Sequence, residues 1–162
     1  MRLEIRPARV LDHAVIARII VPTIRAGETY ALDPRLGASD AVAYWTGADR
    51  ETFVAEQDGA VLGTYYLRAN QAGGGAHVAN CGFMTGAAAA GRGIGRAMGE
   101  HALARARERG FSAMQFNFVV STNLPAVKLW RSLGFAEVGR LPGAFRHPGL
   151  GFVDALVMFR TL

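Results

Sequence analysis

A glycine-rich run lies between an apolar segment and a segment of helical character. It extends from Gly86 to Gly95, with Arg92 inside it and Arg96 directly after it. If a helix begins here, its first backbone N–H groups have no partners inside the helix, and the aligned peptide dipoles favour negative charge at that end. Because glycines let an anion approach this backbone closely, the run is typical of a phosphate-binding turn.

Three phosphate-binding patterns compete for this run. Residues 86–91 space two glycines as in a P-loop, but the Lys and the Ser or Thr that must follow are absent. Residues 93–98 lack the last glycine of the dinucleotide pattern G-x-G-x-x-G. The third pattern is Arg or Gln followed by x-x-G-x-G or x-x-G-x-A, and residues 90–95 match it except that Ala90 replaces the leading residue. The two arginines, four residues apart, share one side of the helix start and could replace that residue as phosphate partners.

A second motif follows after one predicted helix and one predicted strand. Asn123 and Ala126 form Asn-x-x-Ala at the start of a predicted amphipathic helix, and Gly134-Phe135 follows that helix. An asparagine at this place can cap the helix or present its amide to a ligand between two strands, and the sequence leaves both interpretations open. Gly134 suits the left-handed turn that ends a helix.

Together, in this order, the two motifs resemble those of the GNAT superfamily of acyltransferases. The similarity covers residues 77–141 well, and the order of predicted elements extends it to nearly the whole chain. It implies acetyl-CoA as co-substrate and direct transfer of the acetyl group to the amine of a small molecule, without a metal; no His/Cys ligand cluster indicates one. Two alternatives remain open: a non-catalytic CoA-binding regulatory domain and, less favoured, a nucleic-acid-binding module.

The resemblance also implies which residues hold the cofactor. Backbone groups of Phe83, Met84 and Thr85 are expected to pair with the pantetheine arm as an added strand would, and the N–H of Phe83 is expected to polarise the thioester carbonyl. The other expected cofactor-binding residues are Gly91, Arg92, Gly93, Ile94, Gly95, Arg96, Asn123, Ala126 and Trp130.

On the acceptor side, the resemblance singles out two asparagines. Asn80 and Asn117 match asparagines that contact the substrate in a GNAT subgroup acting on small amino or imino acids, so both are expected in catalytic and substrate-binding roles. The alternative is that their amides only bridge the splayed strands. Tyr30, Arg146 and His147 are further candidates for shaping the acceptor pocket.

No residue stands out as the general base. A free alkylamine has a pKa near 10 and must lose a proton before it attacks. Glu28, His77 and His147 are candidates for this step, although each is better explained as a structural or surface residue.

The sequence departs from the family pattern at the leaving group. The tyrosine that usually protonates the departing sulfur falls on Trp130, which offers only a weak N–H donor. Since a thiol of pKa near 8.5 leaves as thiolate at pH 7 for roughly 2 kcal/mol, we expect activity to survive. Cys81 offers a covalent alternative, but a buried structural thiol explains it better because no base is near it in the sequence.

Periodicity and turn residues predict the elements that position these residues. Asp12, Ser39 and Asn123 are predicted to cap helices, and Asp58-Gly59 predicts a β-hairpin. The predicted helices cover 12–25, 39–45, 93–109 and 123–134, the predicted strands cover 3–7, 52–56, 61–67, 77–85, 113–120, 135–141 and 152–160, and 72–75 is predicted to be flexible. This order favours one α/β (α+β) domain over residues 1–162, with a mixed, mostly antiparallel sheet of six to seven strands and about four flanking helices. The resemblance adds splayed central strands.

Composition narrows the class of protein. The chain has 162 residues, 51% of them apolar, and a net charge of +5, which favours anionic partners such as a phosphorylated cofactor. No apolar run approaches the roughly 20 residues that cross a bilayer, so no membrane partner is expected. The lone cysteine cannot form an internal disulfide, and we expect a cytoplasmic location. A homodimer formed by strand pairing is compatible with the resemblance, and the sequence leaves it open.

Overall fold

The computed structural model describes residues 2–162. In this range the helices are α1 (His13–Ala26), α2 (Ala38–Trp45), α3 (Ile94–Glu108) and α4 (Leu124–Ser132). The strands are β1 (Leu3–Pro7), β2 (Glu51–Gln57), β3 (Ala60–Ala69), β4 (Val78–Thr85), β5 (Ala113–Val120), β6 (Ala136–His147) and β7 (Gly151–Thr161). None of the helices in residues 2–162 has the length and apolar character that a membrane span requires.

The seven strands form a single sheet in the order β1-β2-β3-β4-β5-β7-β6. All neighbouring strands are antiparallel except β4 and β5. The parallel ladder between β4 and β5 joins only Val78 to Ala113 and Ala79 to Met114, and the strands separate beyond it. The predicted α/β architecture, with its mostly antiparallel sheet and splayed central strands, is confirmed.

Helices cover both faces of the sheet. Because successive strand residues point to opposite faces, Phe53 and Tyr65 pack under α3 and α4, whereas Val54 and Tyr66 pack under α1 and α2. The two apolar clusters fix the helices on either side of the β4–β5 gap.

Local turn chemistry explains two of the connections. Asp58 and Gly59 adopt φ values of 52° and 79°, which a two-residue hairpin turn requires, so the predicted hairpin between β2 and β3 is confirmed. Gly134 has a φ of 90°, and the N–H of Phe135 bonds the carbonyl of Trp130 to close the end of α4.

The three predicted capping side chains do not cap their helices. The Asp12 carboxylate accepts a hydrogen bond from the N–H of Arg9 at 2.7 Å, so it caps the short 3₁₀ turn before α1 instead. Helix α2 begins at Ala38, which places Ser39 inside its first turn. Asn123 stands at the N-cap position of α4, but its side chain makes no capping hydrogen bond.

Two predicted segments differ in extent or form. Strand β6 continues past residue 141 to His147, because an irregularity between Leu141 and Phe145 absorbs the Pro-Gly sequence. The N–H of Gly143 in this irregularity donates to Asp154 Oδ1 at 2.9 Å. The segment 72–75, predicted to be flexible, contains a 3₁₀ turn over Gly73–Gly75.

Gly82 on β4 provides a test of the packing beside the gap. A Cβ at this position would lie 2.7 Å from Cζ of the buried Tyr66 ring. Gly82→Ala is therefore expected to lower the free energy of unfolding by about 1–3 kcal/mol, measured by urea denaturation. Gly74→Ala, where a Cβ would meet open space, is the matched control. Equal stability of the two variants would contradict this packing.

Candidate active site

A cavity of about 240 Å³ opens where β4 and β5 separate. Its walls come from the loop after α1, from β3, β4 and β5, and from α4. Tyr66 and Asn80 reach it from the α1–α2 side of the sheet, whereas Phe83 and Trp130 reach it from the α3–α4 side. The cavity therefore connects the two faces of the sheet through the gap.

Alternate residues of β4 direct their backbone groups into this gap. The N–H and C=O of Phe83 point away from β3, and the pleat of a strand places those of Cys81 and Thr85 on the same edge. Met84 is paired with Thr64, and alternation directs its backbone groups toward β3. Of the three residues whose backbone groups are predicted to pair with a ligand, Phe83 and Thr85 face the gap and Met84 does not. The backbone groups of Cys81 also face the gap.

The hydroxyl of Tyr30 forms two hydrogen bonds with the backbone of Phe83. It accepts a hydrogen bond from the Phe83 N–H at 2.8 Å and donates one to the Phe83 carbonyl at 3.1 Å. Burial raises the pKa of the Tyr30 hydroxyl well above its ordinary value of 10, so the group stays protonated at neutral pH. Sequence reasoning placed Tyr30 in the acceptor pocket but missed this contact, because no local pattern links residues 53 positions apart.

The glycine-rich run forms the turn between β4 and α3. Gly91 and Gly93 adopt φ values of 76° and 77°, in the left-handed region that favours glycine. The first backbone hydrogen bond of α3 runs from the N–H of Ala97 to the carbonyl of Gly93. The N–H groups of residues 94–96 therefore have no partners within the helix, and the exposed turn beside them can accept an anion.

The start of α3 lies close to two elements that contribute to the cavity. A Cβ on Gly95 would lie 3.4 Å from Leu129 Cδ2 on α4 and 4.0 Å from Thr85 Oγ1 at the end of β4. The turn is therefore next to the end of β4 and to α4, both of which line the cavity with other residues.

Both arginines of the turn have a side-chain partner on a neighbouring element. Arg92 Nη2 donates to Gln57 Oε1 at 2.6 Å, and Arg96 Nη1 donates to Ser132 Oγ at 2.9 Å. Both side chains are exposed, and a guanidinium carries five N–H donors, so each retains donors for a phosphate.

Asn80 and Asn117 both line the cavity and both bridge neighbouring segments. Asn80 is buried, and its Nδ2 donates to the carbonyl of Gln115 on β5 at 3.0 Å, just beyond the last parallel pair. Asn117 Nδ2 donates to Asn70 Oδ1 at 2.7 Å, and its Oδ1 accepts from Gln115 Nε2 at 2.9 Å. The bridge between the splayed strands is thus present for Asn80, whereas Asn117 joins β5 to the residue that follows β3.

Helix α4 contributes Asn123, Ala126 and Trp130, all predicted from the sequence to bind the cofactor, to the cavity wall. Since the Asn123 amide makes no capping bond, its donors are not committed to the helix. The Trp130 ring lies 4.8 Å from the Phe83 ring and 4.7 Å from the Phe116 ring, measured between centroids. These rings form an aromatic wall beside the Phe83 backbone.

The remaining candidates lie elsewhere. His147 Nδ1 accepts hydrogen bonds from the N–H groups of Gly149 and Leu150 in the β6–β7 turn, so the ring stabilises that turn. Arg146, Glu28 and His77 are exposed, and like His147 they are absent from the cavity lining formed by the described residues.

Cys81 is buried, and burial raises the pKa of its thiol. A buried thiol with a raised pKa is a weak nucleophile. Within residues 2–162, no three His, Cys, Asp or Glu side chains are grouped to hold a metal ion.

Comparison with known proteins identifies the family. Residues 23–135 match the model of the acetyltransferase (GNAT) family. The chain belongs to the GNAT acetyltransferase family. This GNAT chain is 28% identical over 151 residues to the N-acetyltransferase aca1 of Schizosaccharomyces pombe, a match covering 83% of the chain and 72% of that relative.

Solved structures show the same fold. A GCN5-related N-acetyltransferase from Kribbella flavida is 46% identical, with a TM-score of 0.94 over 99% of this GNAT chain and 98% of that one. A GNAT superfamily phosphinothricin acetyltransferase from Sinorhizobium meliloti, solved in complex with AcCoA, has 23% identity and a TM-score of 0.88, covering 100% of this chain and 89% of that one.

The bridging role of Asn80 can be measured as stability. Asn80→Leu keeps the approximate size of the side chain but removes the donor that satisfies the Gln115 carbonyl, and we expect a loss of about 1–3 kcal/mol in the free energy of unfolding.

Asn117→Leu is the control for this experiment, because that side chain is exposed. Urea denaturation measures the two variants. A loss at Asn80 that is no larger than at Asn117 would contradict the bridge.

Proposed function

We propose that this GNAT acetyltransferase uses acetyl-CoA and transfers the acetyl group directly to the amine of a small molecule, an amino or imino acid. The observation that carries the proposal is the open edge of β4, with Phe83 in the cavity wall and a glycine-rich turn of uncommitted N–H groups following the same strand. The relative named N-acetyltransferase and the AcCoA-containing structure of the same fold support it.

The residues present fit acetyl-CoA. The uncommitted N–H groups at the start of α3, with Arg92 and Arg96 beside them, match a pyrophosphate. The gap-facing backbone of Cys81, Phe83 and Thr85 matches the amides of a pantetheine arm, which can add to β4 as a strand would. The amide of Asn123 and the apolar surface of Ala126 and Trp130 would enclose the other side of that arm.

In the transfer, the amine nitrogen attacks the thioester carbonyl carbon; a C–N bond forms and the C–S bond breaks. The Phe83 N–H is placed to donate to the oxygen that becomes negative in the tetrahedral intermediate. The amine proton leaves to water, because none of the described residues lining the cavity is a carboxylate or an imidazole. The departing thiolate takes its proton from water or from a neighbouring hydroxyl.

In the free protein, the Tyr30 hydroxyl takes the position that the thioester carbonyl would occupy at the Phe83 N–H. This hydroxyl already uses the Phe83 N–H that the thioester carbonyl needs. Binding of acetyl-CoA must therefore displace the hydroxyl, which lies inside the same cavity and is held there as a neutral donor.

A homodimer formed through the sheet edge belongs to the same proposal. Strand β6 is the last strand of the sheet, and Val138, Leu141, Leu150 and Phe152 of β6, β7 and their turn are large exposed apolar residues. An apolar strand edge of this kind favours pairing with a second copy. The single cysteine supports a reducing, cytoplasmic location.

Acetyl transfer is tested by release of free CoA thiol with a panel of amino acids, imino acids and simple amines, together with calorimetric titration of acetyl-CoA. Arg96→Gln is expected to raise KM for acetyl-CoA about tenfold, because a charge-assisted phosphate contact is lost. It should leave KM for acetyl-pantetheine, which lacks the pyrophosphate, unchanged. Arg107→Gln, an exposed arginine near the other end of α3, is the control.

Two outcomes would overturn the proposal. A protein with no measurable affinity for CoA or acetyl-CoA does not use this cofactor. Binding without thiol release across the whole panel would instead favour a non-catalytic CoA-binding regulatory domain.

Tyr30→Phe tests the competition for Phe83. Removing the hydroxyl leaves the Phe83 N–H without its partner in the free protein, so binding of a carbonyl oxygen there gains roughly one hydrogen bond. We expect acetyl-CoA to bind roughly fivefold more tightly, with a smaller change for free CoA, which has no thioester carbonyl. Isothermal titration of both ligands measures this difference, and equal changes for the two would show that Tyr30 does not occupy the carbonyl position.

A further inference from the structure

A group of charged and aromatic side chains lies at the α1–α2 end of the cavity. Arg68 of β3 lines the cavity together with Tyr44 and Tyr66. Behind it, Arg50 places its guanidinium carbon 4.6 Å from the centre of the Tyr66 ring and 4.9 Å from that of Tyr44. Asp49 contacts both arginines.

The two arginines share a single carboxylate. Asp49 Oδ1 lies 2.8 Å from Arg50 Nε, whereas Asp49 Oδ2 lies 3.7 Å from Arg68 Nη1, which is too long for a hydrogen bond. The hydrogen bond from Arg50 holds the pKa of Asp49 below its ordinary value, so the carboxylate is ionised and the group carries one excess positive charge. Asp49 therefore neutralises Arg50, and Arg68 is the cation without a full partner.

Donor atoms in this group are buried without acceptors. Arg68 Nε and Arg50 Nη1 have no hydrogen-bond partner and almost no exposure to solvent. A buried, unsatisfied guanidinium nitrogen is costly, and an anionic ligand that reaches Arg68 would relieve part of that cost.

Arg68 is also the one charged residue among the described residues that line the cavity. An acceptor whose only charge is an ammonium would be repelled by it, and no acidic residue in that lining would compensate. An acceptor that also carries an anion would be attracted. Since the guanidinium fork matches a carboxylate in two parallel hydrogen bonds, a carboxylate fits a small cavity of this kind.

The register of the sheet determines which residue lies next to a carboxylate bound at Arg68. Arg68 on β3 lies directly opposite Asn80 on β4, on the same face of the sheet. Side chains in such a pair have Cβ atoms about 5 Å apart, so a small ligand bound to one of them lies beside the other. A carboxylate on Arg68 therefore brings the rest of the acceptor next to Asn80, in the cavity that Phe83 also lines.

We propose that Arg68, which lies beside Asp49 and the Tyr66 ring without a full partner, binds the carboxylate of the acceptor and so selects amino or imino acids over simple amines. This rests on the proposed acetyl transfer and names the residue that sets acceptor choice. It requires that the wild-type enzyme acetylate acids in preference to the corresponding carboxamides.

The experiment compares the twenty amino acids and proline-like imino acids with their carboxamides, in the thiol-release assay. We expect KM in the wild type to be roughly 10- to 100-fold lower for the preferred acid than for its amide. Arg68→Gln should raise KM for the acid by a similar factor, leaving KM for the amide and for acetyl-CoA unchanged. Arg68→Lys, which keeps the charge but loses the fork, should lie between the two, and Arg107→Gln should match the wild type.

The outcomes separate this inference from the function on which it rests. If the wild type uses acids and amides equally well, the proposed role of Arg68 is wrong, whereas acetyl transfer still stands. This comparison needs no variant. The proposed role is also wrong if Arg68→Gln keeps the wild-type ratio of acid to amide. If neither class releases thiol although acetyl-CoA binds, the proposed transferase function itself fails.

Discussion

The early end of the parallel ladder between β4 and β5 is the constraint on which the site depends. Pairing stops after Ala79 and Met114, so the backbone edge of the second half of β4 is not covered by its neighbour. A strand edge inside a sheet is a template for another extended chain, and here it faces a cavity rather than solvent. The glycine-rich turn follows directly at the end of the same strand, which places the open edge and the anion-binding amides along one path.

Specific side chains hold the gap at a fixed width. The buried Asn80 amide spans it just beyond the last paired residues by donating to the carbonyl of Gln115. On the far side of β5, the register with β7 shifts between Phe116 and Val119, and this bulge bends the strand next to the cavity. Tyr30 supplies the hydrogen bonds that the exposed Phe83 backbone would otherwise lack, which offsets the cost of leaving it unpaired.

The parts of the fold that local chemistry determines could be predicted from the sequence. The Asp58-Gly59 hairpin and the left-handed turn at Gly134 follow from the backbone conformations that these turn residues themselves favour. The capping prediction at Asp12 failed because its carboxylate bonds Arg6 and the backbone of Arg9 instead of the helix start.

The same distinction between local and distant contacts applies to the candidate site. The glycine turn and the Asn-x-x-Ala motif are contiguous in the sequence, so their positions at the cavity could be anticipated. The contact of Tyr30 with Phe83 and the juxtaposition of Arg68 with Asn80 depend on how distant segments pair, and periodicity carries no signal for either. Two arginines that compete for one aspartate likewise show up only once β3 and the segment before β2 are adjacent in space.

The two tryptophans occupy very different surroundings. Trp45 is fully enclosed, donates its indole N–H to Thr64 Oγ1 at 3.0 Å and packs against the rings of Tyr30 and Tyr66, so a ligand in the cavity reaches it only through those two side chains. Trp130 stands in the aromatic wall beside Phe83, where any ligand in the gap changes the polarity around its ring. The chain therefore contains its own optical reporters: intrinsic fluorescence follows occupancy directly through Trp130, and through Trp45 when Tyr30 or Tyr66 moves.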